Sequence, residues 1–347
     1  MNMLKCKITQ LADTIWPLIF ADVPVCITGP TGVGKSAVIN FDLMPKVTRA
    51  FGPSELHDVR LSTKDIVDGT GMPIIDKDQM ATFWTRPAFI PGDNGQMHVM
   101  FFDEFGHAPV PMQQMAYSLV LDRALGGYKL PKKNRVILAS NTREDGGGDN
   151  KMLRPLQNRM AHIQVEVDQK GFLEKTREWG WQPQLIAFLQ TRPALIYDED
   201  AARKTDDPSF PTPRSLEAFN RSLKAILHDL GVTDSKHKIG MIETCATAIC
   251  GQGFSRQFVT FYNTLGAAIP RMADILADPE KAKVPASHEH QWVVAGAIAA
   301  NVETKTAAKY AAYLARLAPD IRAGAAHNAA TRDQMLNQSK EWKALQN

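Results

Sequence analysis

The first half of the chain alternates short apolar segments with longer amphipathic ones. Five segments have the length of β-strands, and most of them are continuously apolar: residues 23–28, 58–62, 98–102, 136–139 and 162–167. Short apolar strands that alternate with helices are typical of a parallel sheet covered on both faces. The pattern therefore predicts an α/β core with a parallel five-stranded sheet over residues 1–168.

Beyond residue 168 the strand-like segments nearly disappear. Between Ser215 and Leu230, apolar residues recur every three or four positions, which is typical of an amphipathic helix, and Gly231 would end it. The residues after 270 are rich in alanine, a strong helix former. We therefore expect an all-helical subdomain over residues 169–266 and a helical C-terminal extension over residues 267–347.

Composition narrows the class of protein. The 347 residues are 44% hydrophobic and 22% charged, which is a globular composition and excludes a disordered or fibrous chain. The net charge of +3 indicates no particular partner, and the four cysteines form no CxxC pair, so we expect reduced thiols and a cytoplasmic protein. Apolar runs are far shorter than the roughly 20 residues of a bilayer helix, so we expect no membrane segment.

The most specific motif is a glycine-rich loop between a predicted strand and a predicted helix. It has the complete pattern G-x-x-x-x-G-K-[ST], in which backbone N–H groups and the helix N-terminus surround a phosphate. Lys35 would reach the β- and γ-phosphates of ATP, and the Ser36 hydroxyl would bind Mg²⁺. The predicted nucleotide-binding residues are Gly29, Pro30, Thr31, Gly32, Val33, Gly34, Lys35 and Ser36.

Two carboxylates follow the apolar segment 98–102. The carboxyl ends of parallel strands meet at one edge of a sheet, so Asp103 should lie beside the phosphate loop. Asp103 would complete the Mg²⁺ site, and Glu104 would orient and polarise the attacking water. The combination predicts ATP hydrolysis rather than nucleotide binding alone.

With these two motifs, residues 4–262 resemble the AAA+ ATPases, and within them the MoxR-like group with its dynein-related and McrB-related modules, of phage or bacterial type. The resemblance implies that Asn141, after the strand 136–139, is a sensor of the γ-phosphate. It implies an arginine finger at Arg159, with Arg154 as the second choice, and a second sensor at Arg214 in a helical lid.

The resemblance also implies partners. An arginine supplied to a neighbour's site requires a head-to-tail contact, which closes into a ring, and the family indicates a hexamer. The implied function is an ATP-driven motor that remodels or activates a protein client, as a MoxR-like chaperone, with a von Willebrand factor A domain protein as a possible partner class.

Two insertions leave alternatives open. The segment 64–96 carries Phe83, Trp84 and Phe89, aromatic residues that either grip a polypeptide or pack the insertion onto its own domain. The segment 124–135 has the Gly126-Gly127 turn of a hairpin and a basic cluster: Lys129, Lys132, Lys133 and Arg135. Such a cluster is commonly a solvated face, and it also admits a DNA-directed motor or loader, which we do not favour. A nucleotide-dependent assembly scaffold is a third alternative.

Overall fold

The computed structural model describes residues 3–78, 81–125, 128–141, 157–198, 207–332, 336 and 340–345. The chain forms two compact units, Met1–Asp168 and Gln169–Asn347. The finer division at residue 266 stays a prediction. No helix in the described ranges is both long and apolar enough to span a membrane.

The first unit is built on a parallel sheet. Its strands and those of two small hairpins are β1 (Leu4–Lys7), β2 (Val25–Thr28), β3 (Ser54–Arg60), β4 (Pro73–Asp76), β5 (Ala81–Trp84), β6 (Met97–Asp103), β7 (Ala124–Leu125), β8 (Tyr128–Lys129), β9 (Asn134–Ser140) and β10 (Ala161–Glu166). The sheet has the order β1-β10-β2-β9-β6-β3, and all its pairs are parallel. The predicted α/β core with a parallel sheet is confirmed.

The prediction of five strands was wrong by one, because β1 joins the sheet beside β10. Only Cys6 is buried in this strand, and its other three residues are exposed. An edge strand can be polar on its solvated side, so β1 has no continuous apolar run that would identify it in the sequence.

Helices cover both faces of the sheet. They are α1 (Leu11–Phe20), α2 (Lys35–Val38), α3 (Met44–Phe51), α4 (Ile66–Thr70) and α5 (Val110–Leu121). A π-helical turn at Ile39–Leu43 joins α2 to α3, so one helical run extends from Lys35 to Phe51. This run and α1 bury one face of the sheet, and α5 buries the other. Both faces are therefore apolar, which explains the apolar strands in the sequence.

Both insertions contain a hairpin. In the first, β4 and β5 pair antiparallel, with Ile74 opposite Phe83. In the second, β7 and β8 pair antiparallel, as the sequence predicted, whereas the Gly126-Gly127 turn lies outside the described residues.

The second unit is helical. Its helices are α6 (Gln169–Glu178), α7 (Pro183–Thr191), α8 (Pro213–Lys224), α9 (Ser235–Cys250), α10 (Gln252–Ala268), α11 (Met272–Ala277), α12 (His288–Asn301), α13 (Ala307–Leu314), α14 (Pro319–Arg332) and α15 (Lys340–Lys343). The helix expected from Ser215 onward is α8 with a π-helical turn at Ala225–Asp229, and Gly231 follows with a positive φ of 62°.

Candidate functional site

The loop after β2 has the backbone geometry that its glycines predict. Gly32 and Gly34 have φ angles of 72° and 105°, in the region that favours glycine. A Cβ atom on Gly29 would lie 3.0 Å from the Val165 Cβ and 3.1 Å from the Val165 carbonyl oxygen. The first glycine therefore allows the loop to pass β10 closely, and the other two allow it to turn.

Lys35 is buried at the start of the helical run, and its ammonium group is held by oxygen atoms. Its Nζ donates to the carbonyl oxygens of Gly29 at 2.7 Å and Pro30 at 3.1 Å. It also donates to the Oδ1 atom of Asn141 at 3.1 Å. The sensor residue implied by the resemblance therefore contacts the lysine of the phosphate loop.

Ser36 and Asp103 also meet, although 66 residues separate them in the chain. The Ser36 hydroxyl donates to the Asp103 Oδ2 atom at 2.6 Å, and the Asp103 side chain is buried. A hydroxyl and a carboxylate are oxygen donors, which Mg²⁺ prefers. The donor set therefore fits the ion that the sequence implies.

Glu104 follows Asp103 in a left-handed backbone conformation, with a φ of 54°. For a residue that is not glycine, this conformation costs roughly 1–3 kcal/mol and is concentrated at functional sites. The Asp103 Oδ1 atom accepts from the Glu104 backbone N–H at 2.9 Å, and the Ser62 hydroxyl lies 3.5 Å from Glu104 Oε2. The left-handed conformation comes directly after β6, which ends at Asp103.

The strand order explains why these residues converge. In the sheet, β9 lies between β2, which leads into the phosphate loop, and β6, which ends at Asp103. Asn141 follows the last residue of β9, and so stands between the other two groups. Because the strands are parallel, their carboxyl ends lie together and form one polar edge of the sheet.

Sequence reasoning missed two residues at this edge, Asp58 and Ser62. Loss of hydration raises the pKa of Asp58, the negative charge of Asp103 raises it further, and Glu104 adds to this against the opposing charge of Arg60. Asp58 therefore belongs to the same group of carboxylates as Asp103. Ser62 lies at the end of the predicted strand 58–62, which is a signal that could have identified it, whereas Asp58 lies at the start of that strand.

Two of the three predicted arginines, Arg159 and Arg214, lie among the described residues. Arg159 is exposed on the turn before β10, whereas Arg154 lies outside the described residues. Arg214 is exposed in the first turn of α8, in the helical unit, where Thr212 caps the helix by accepting from the Ser215 backbone N–H at 3.1 Å. The structure therefore leaves the roles of Arg159 and Arg214 as predictions.

The basic cluster is only partly a solvated face. Arg135 is buried: its guanidinium donates to the carbonyl oxygen of Ile19 at 2.6 Å and lies over the Phe51 ring at 5.3 Å. Burial lowers the pKa of Arg135, and Asp22 opposes that shift. Lys133 is exposed, and its Nζ donates to the Gly95 carbonyl oxygen at 2.9 Å. Lys129 and Lys132 remain as exposed members.

The aromatic residues of the first insertion divide in the same way. Phe83 and Trp84 are 49% and 47% exposed, on β5. Phe89 is partly buried and packs against the core on the α5 side of the sheet. Phe89 therefore packs onto its own domain, whereas Phe83 and Trp84 are exposed, as contact with a polypeptide would require.

Together these side chains can hold a triphosphate and a divalent cation. The loop supplies backbone N–H groups and Lys35 for the phosphates, and the pair Ser36 and Asp103 supplies oxygen atoms for the cation. Asn141 contacts Lys35 and the Glu104 backbone contacts Asp103, so both residues belong to the same polar edge.

Comparison with known proteins gives distant structural matches. No protein-family model matches the chain, and no curated protein matches it. Among solved structures, the Thermotoga maritima RuvB Holliday junction branch migration motor is 14% identical, over 71% of this chain and 70% of that one, with a TM-score of 0.37. NtrX from Brucella abortus in complex with ADP is 14% identical, over 95% of this chain and 64% of that one, with a TM-score of 0.42.

Proposed function

We propose that this chain is a Mg²⁺-dependent ATPase of the AAA+ class, similar to the MoxR-like group, that assembles into a ring and remodels a protein client. The observation that carries the proposal is the convergence of three strand ends. Lys35 contacts Asn141, and Ser36 contacts Asp103, so the phosphate loop is joined to both neighbouring motifs. A glycine-rich turn without such a function would have no need of either contact.

The residues would divide the work as follows. Lys35 and the loop N–H groups would bind the phosphates, and Asn141 would contact the γ-phosphate or the attacking water. Glu104 would hold that water in line and accept its proton. Ser36 and Asp103 would hold Mg²⁺, which when bound supplies positive charge to the phosphoryl group that is transferred.

The Glu104→Gln variant tests hydrolysis directly. It keeps the shape of the side chain and removes its basicity, so we expect ATP turnover to fall at least 100-fold while ATP binding stays near the wild-type value. Steady-state phosphate release and equilibrium nucleotide binding give the two readouts. Unchanged turnover would refute the role of Glu104, and negligible turnover in the wild type would favour the assembly scaffold.

Arg159 supports assembly because it is exposed on the turn before β10 rather than engaged in its own core. An arginine finger acting on a neighbour would contribute about 1000-fold to turnover. We expect Arg159→Ala to lose turnover and keep ATP binding, with Asn158→Ala, the adjacent exposed residue, as the control. In mixtures with wild-type subunits, a loss strictly proportional to mutant content would contradict a shared site.

The β4–β5 hairpin favours a protein client over DNA. Ile74, Ile75, Phe83 and Trp84 are each 47–71% exposed on it. Exposed apolar side chains suit contact with a polypeptide, whereas a DNA backbone requires cations. The burial of Arg135 removes one of the four basic residues on which the DNA alternative depends.

The Glu104→Gln variant with ATP bound also serves to capture the client, because it should not hydrolyse the nucleotide. We expect a Trp84→Ala change in that background to weaken client retention and leave ATP binding unchanged. A protein with a von Willebrand factor A domain is the partner class to test first, in a ring that we expect to be hexameric. Stimulation of turnover by DNA, lost steeply as salt rises, would favour the DNA-directed motor instead.

A further inference from the structure

A second polar cluster lies on the sheet away from the phosphate loop, at the amino-terminal ends of β3 and β6. Glu55 and His57 lie on the edge strand β3, and His98 lies on β6 directly opposite Glu55 in the register. Residues at alternate positions of a strand face the same side, so all three side chains share one face of the sheet. None of them belongs to the proposed ATP site.

Three ligand atoms of this cluster converge. The His57 Nε2 and His98 Nδ1 atoms are 3.0 Å apart, and the Glu55 Oε2 atom lies 3.7 Å from the first and 3.8 Å from the second. A tetrahedral ion with bonds of about 2.1 Å separates its ligands by roughly 3.4 Å. The three separations bracket that value.

The hydrogen bonds of His98 prepare it as a ligand. Asn94 Oδ1 accepts from the Gln96 backbone N–H at 3.0 Å, which identifies this atom as the amide oxygen. The same oxygen lies 3.0 Å from His98 Nε2, which must therefore carry the proton. The Nδ1 atom, which faces His57 and Glu55, is then left with a lone pair. Metal-binding histidines commonly have their second nitrogen fixed in this way.

The neighbouring strand adds an independent observation. Asn134 on β9 is the register partner of His98, so a single row runs from Glu55 through His98 to Asn134. Asn134 is fully buried, and within the described part of the chain neither its Oδ1 nor its Nδ2 atom has a hydrogen-bond partner. A buried amide without partners costs about 1–3 kcal/mol for each unsatisfied atom. The row therefore contains, next to His98, a buried polar group that the described residues leave unsatisfied.

The geometry points to a binding site for a divalent transition metal ion, of the zinc type, formed by Glu55, His57 and His98. Two imidazoles and one carboxylate suit Zn²⁺, Co²⁺ or Ni²⁺, whereas Mg²⁺ prefers oxygen atoms alone. The Glu55 side chain is 54% exposed, so the fourth position opens to water. The ion would join the edge strand to β6, about 17 Å from Asp103 along the same strand.

Metal titration of the full chain, treated with chelator and free of nucleotide, tests this site. We expect one equivalent of Co²⁺ to give the visible bands of a four-coordinate ion, Zn²⁺ to displace it, and excess Mg²⁺ to leave it bound. Zn²⁺ should also raise the melting temperature. His57→Ala should weaken binding at least 100-fold. The circular dichroism spectrum of this variant should match that of the wild type, because His57 lies on the edge strand.

Two further variants separate ligation from positioning. Asn94→Ala should weaken Co²⁺ binding by about 10–100-fold and keep the shape of the spectrum, because Asn94 orients His98 and does not bind the ion. His237→Ala, an exposed histidine of the helical unit, should bind Co²⁺ as the wild type does. The site is refuted if the wild type shows no saturable binding of Co²⁺ or Zn²⁺, or if His57→Ala binds them equally well.

Discussion

The two compact units of this chain place polar groups differently in their interiors. In the α/β unit, the buried Lys35 and Asp103 bond to side chains from distant parts of the chain, at one edge of the sheet. In the helical unit, most buried polar side chains bond to backbone groups instead, as Thr176 does to the Leu173 carbonyl oxygen and Asn220 does to the Gln182 N–H. The difference indicates that buried polar groups in the first unit bring side chains together at a candidate site, whereas those in the second unit mainly satisfy the backbone of packed helices.

The core of the helical unit contains a cluster of aromatic rings. Phe188, Phe219, Phe254 and Phe258 form edge-to-face pairs with centroid distances of 5.0–5.6 Å. Such pairs contribute about 0.5–1.5 kcal/mol beyond the area that they bury. This unit therefore gains stability from ring packing, and a change there should affect unfolding first.

The largest expected effect follows from that packing. Phe258 is fully buried and contacts Phe219 edge-to-face at 5.0 Å. Phe258→Ala should lower the free energy of unfolding of the helical unit by about 3–5 kcal/mol through a cavity and lost contacts. Urea denaturation measures it, with Leu230→Ala, at a residue 55% exposed, as a control within about 0.5 kcal/mol of wild type.

A substitution at the polar edge of the α/β unit should lower ATP turnover and leave the stability of the protein nearly unchanged. Asn141→Ala removes the amide that accepts from Lys35 and that would contact the γ-phosphate. We expect turnover to fall about 100-fold, which is about 2.7 kcal/mol in the barrier, with unfolding nearly unchanged. Asn263→Ala, an exposed asparagine of the helical unit, should leave turnover as it is. Equal losses in both variants would contradict the proposed contact.

Replacing a glycine by alanine should change the free energy of unfolding in opposite directions at two positions, one in each unit. At Gly29 a Cβ atom would press on Val165, so Gly29→Ala should destabilise the protein by about 1–3 kcal/mol. At Gly240, inside α9, a Cβ atom would meet nothing within 4 Å, so Gly240→Ala should stabilise by about 0.5–1 kcal/mol. Thermal or urea unfolding of both variants checks the signs, and a stabilising Gly29→Ala would refute the close approach.

The smallest expected effect is a difference in reactivity among the cysteine thiols. Burial raises the pKa of Cys26 in the α/β unit and of Cys250 in the helical unit to about 12 each. A thiolate is the reactive form, so these two thiols should resist alkylation of the native protein. The half-buried Cys245 should react first, as mass spectrometry of partly labelled protein can show. Early labelling of Cys26 would contradict its burial.

The sequence was sufficient for the buried strands and less so for the edges of the sheet. Strands β2, β6 and β9 are buried on both faces, so their apolar runs predicted them to within a few residues. In β10 only Ile163 and Val165 are buried, and their alternation with polar residues predicted the strand. The edge strand β3 was placed at residues 58–62 and in fact spans Ser54–Arg60. Its first half is polar because one side is solvated, and the pattern of apolar residues does not extend there.

The candidate sites show the same limit. Lys35 and Ser36 were found because local spacing defines the phosphate loop, and Asp103 because it ends an apolar strand. His57 and His98 are 41 residues apart, and only the register of β3 against β6 brings their rings together. Sequence spacing alone does not contain that register, so the second cluster could not be identified from it.

The most direct test of the account is the binding of ATP to the purified chain in the presence and absence of Mg²⁺. The account predicts saturable binding that Mg²⁺ strengthens, and that Lys35→Ala weakens at least 100-fold because the buried ammonium is lost. Lys236→Ala, at an exposed lysine of the helical unit, should bind as the wild type does. Binding that is absent from the wild type, or that Lys35→Ala leaves unchanged, would contradict it.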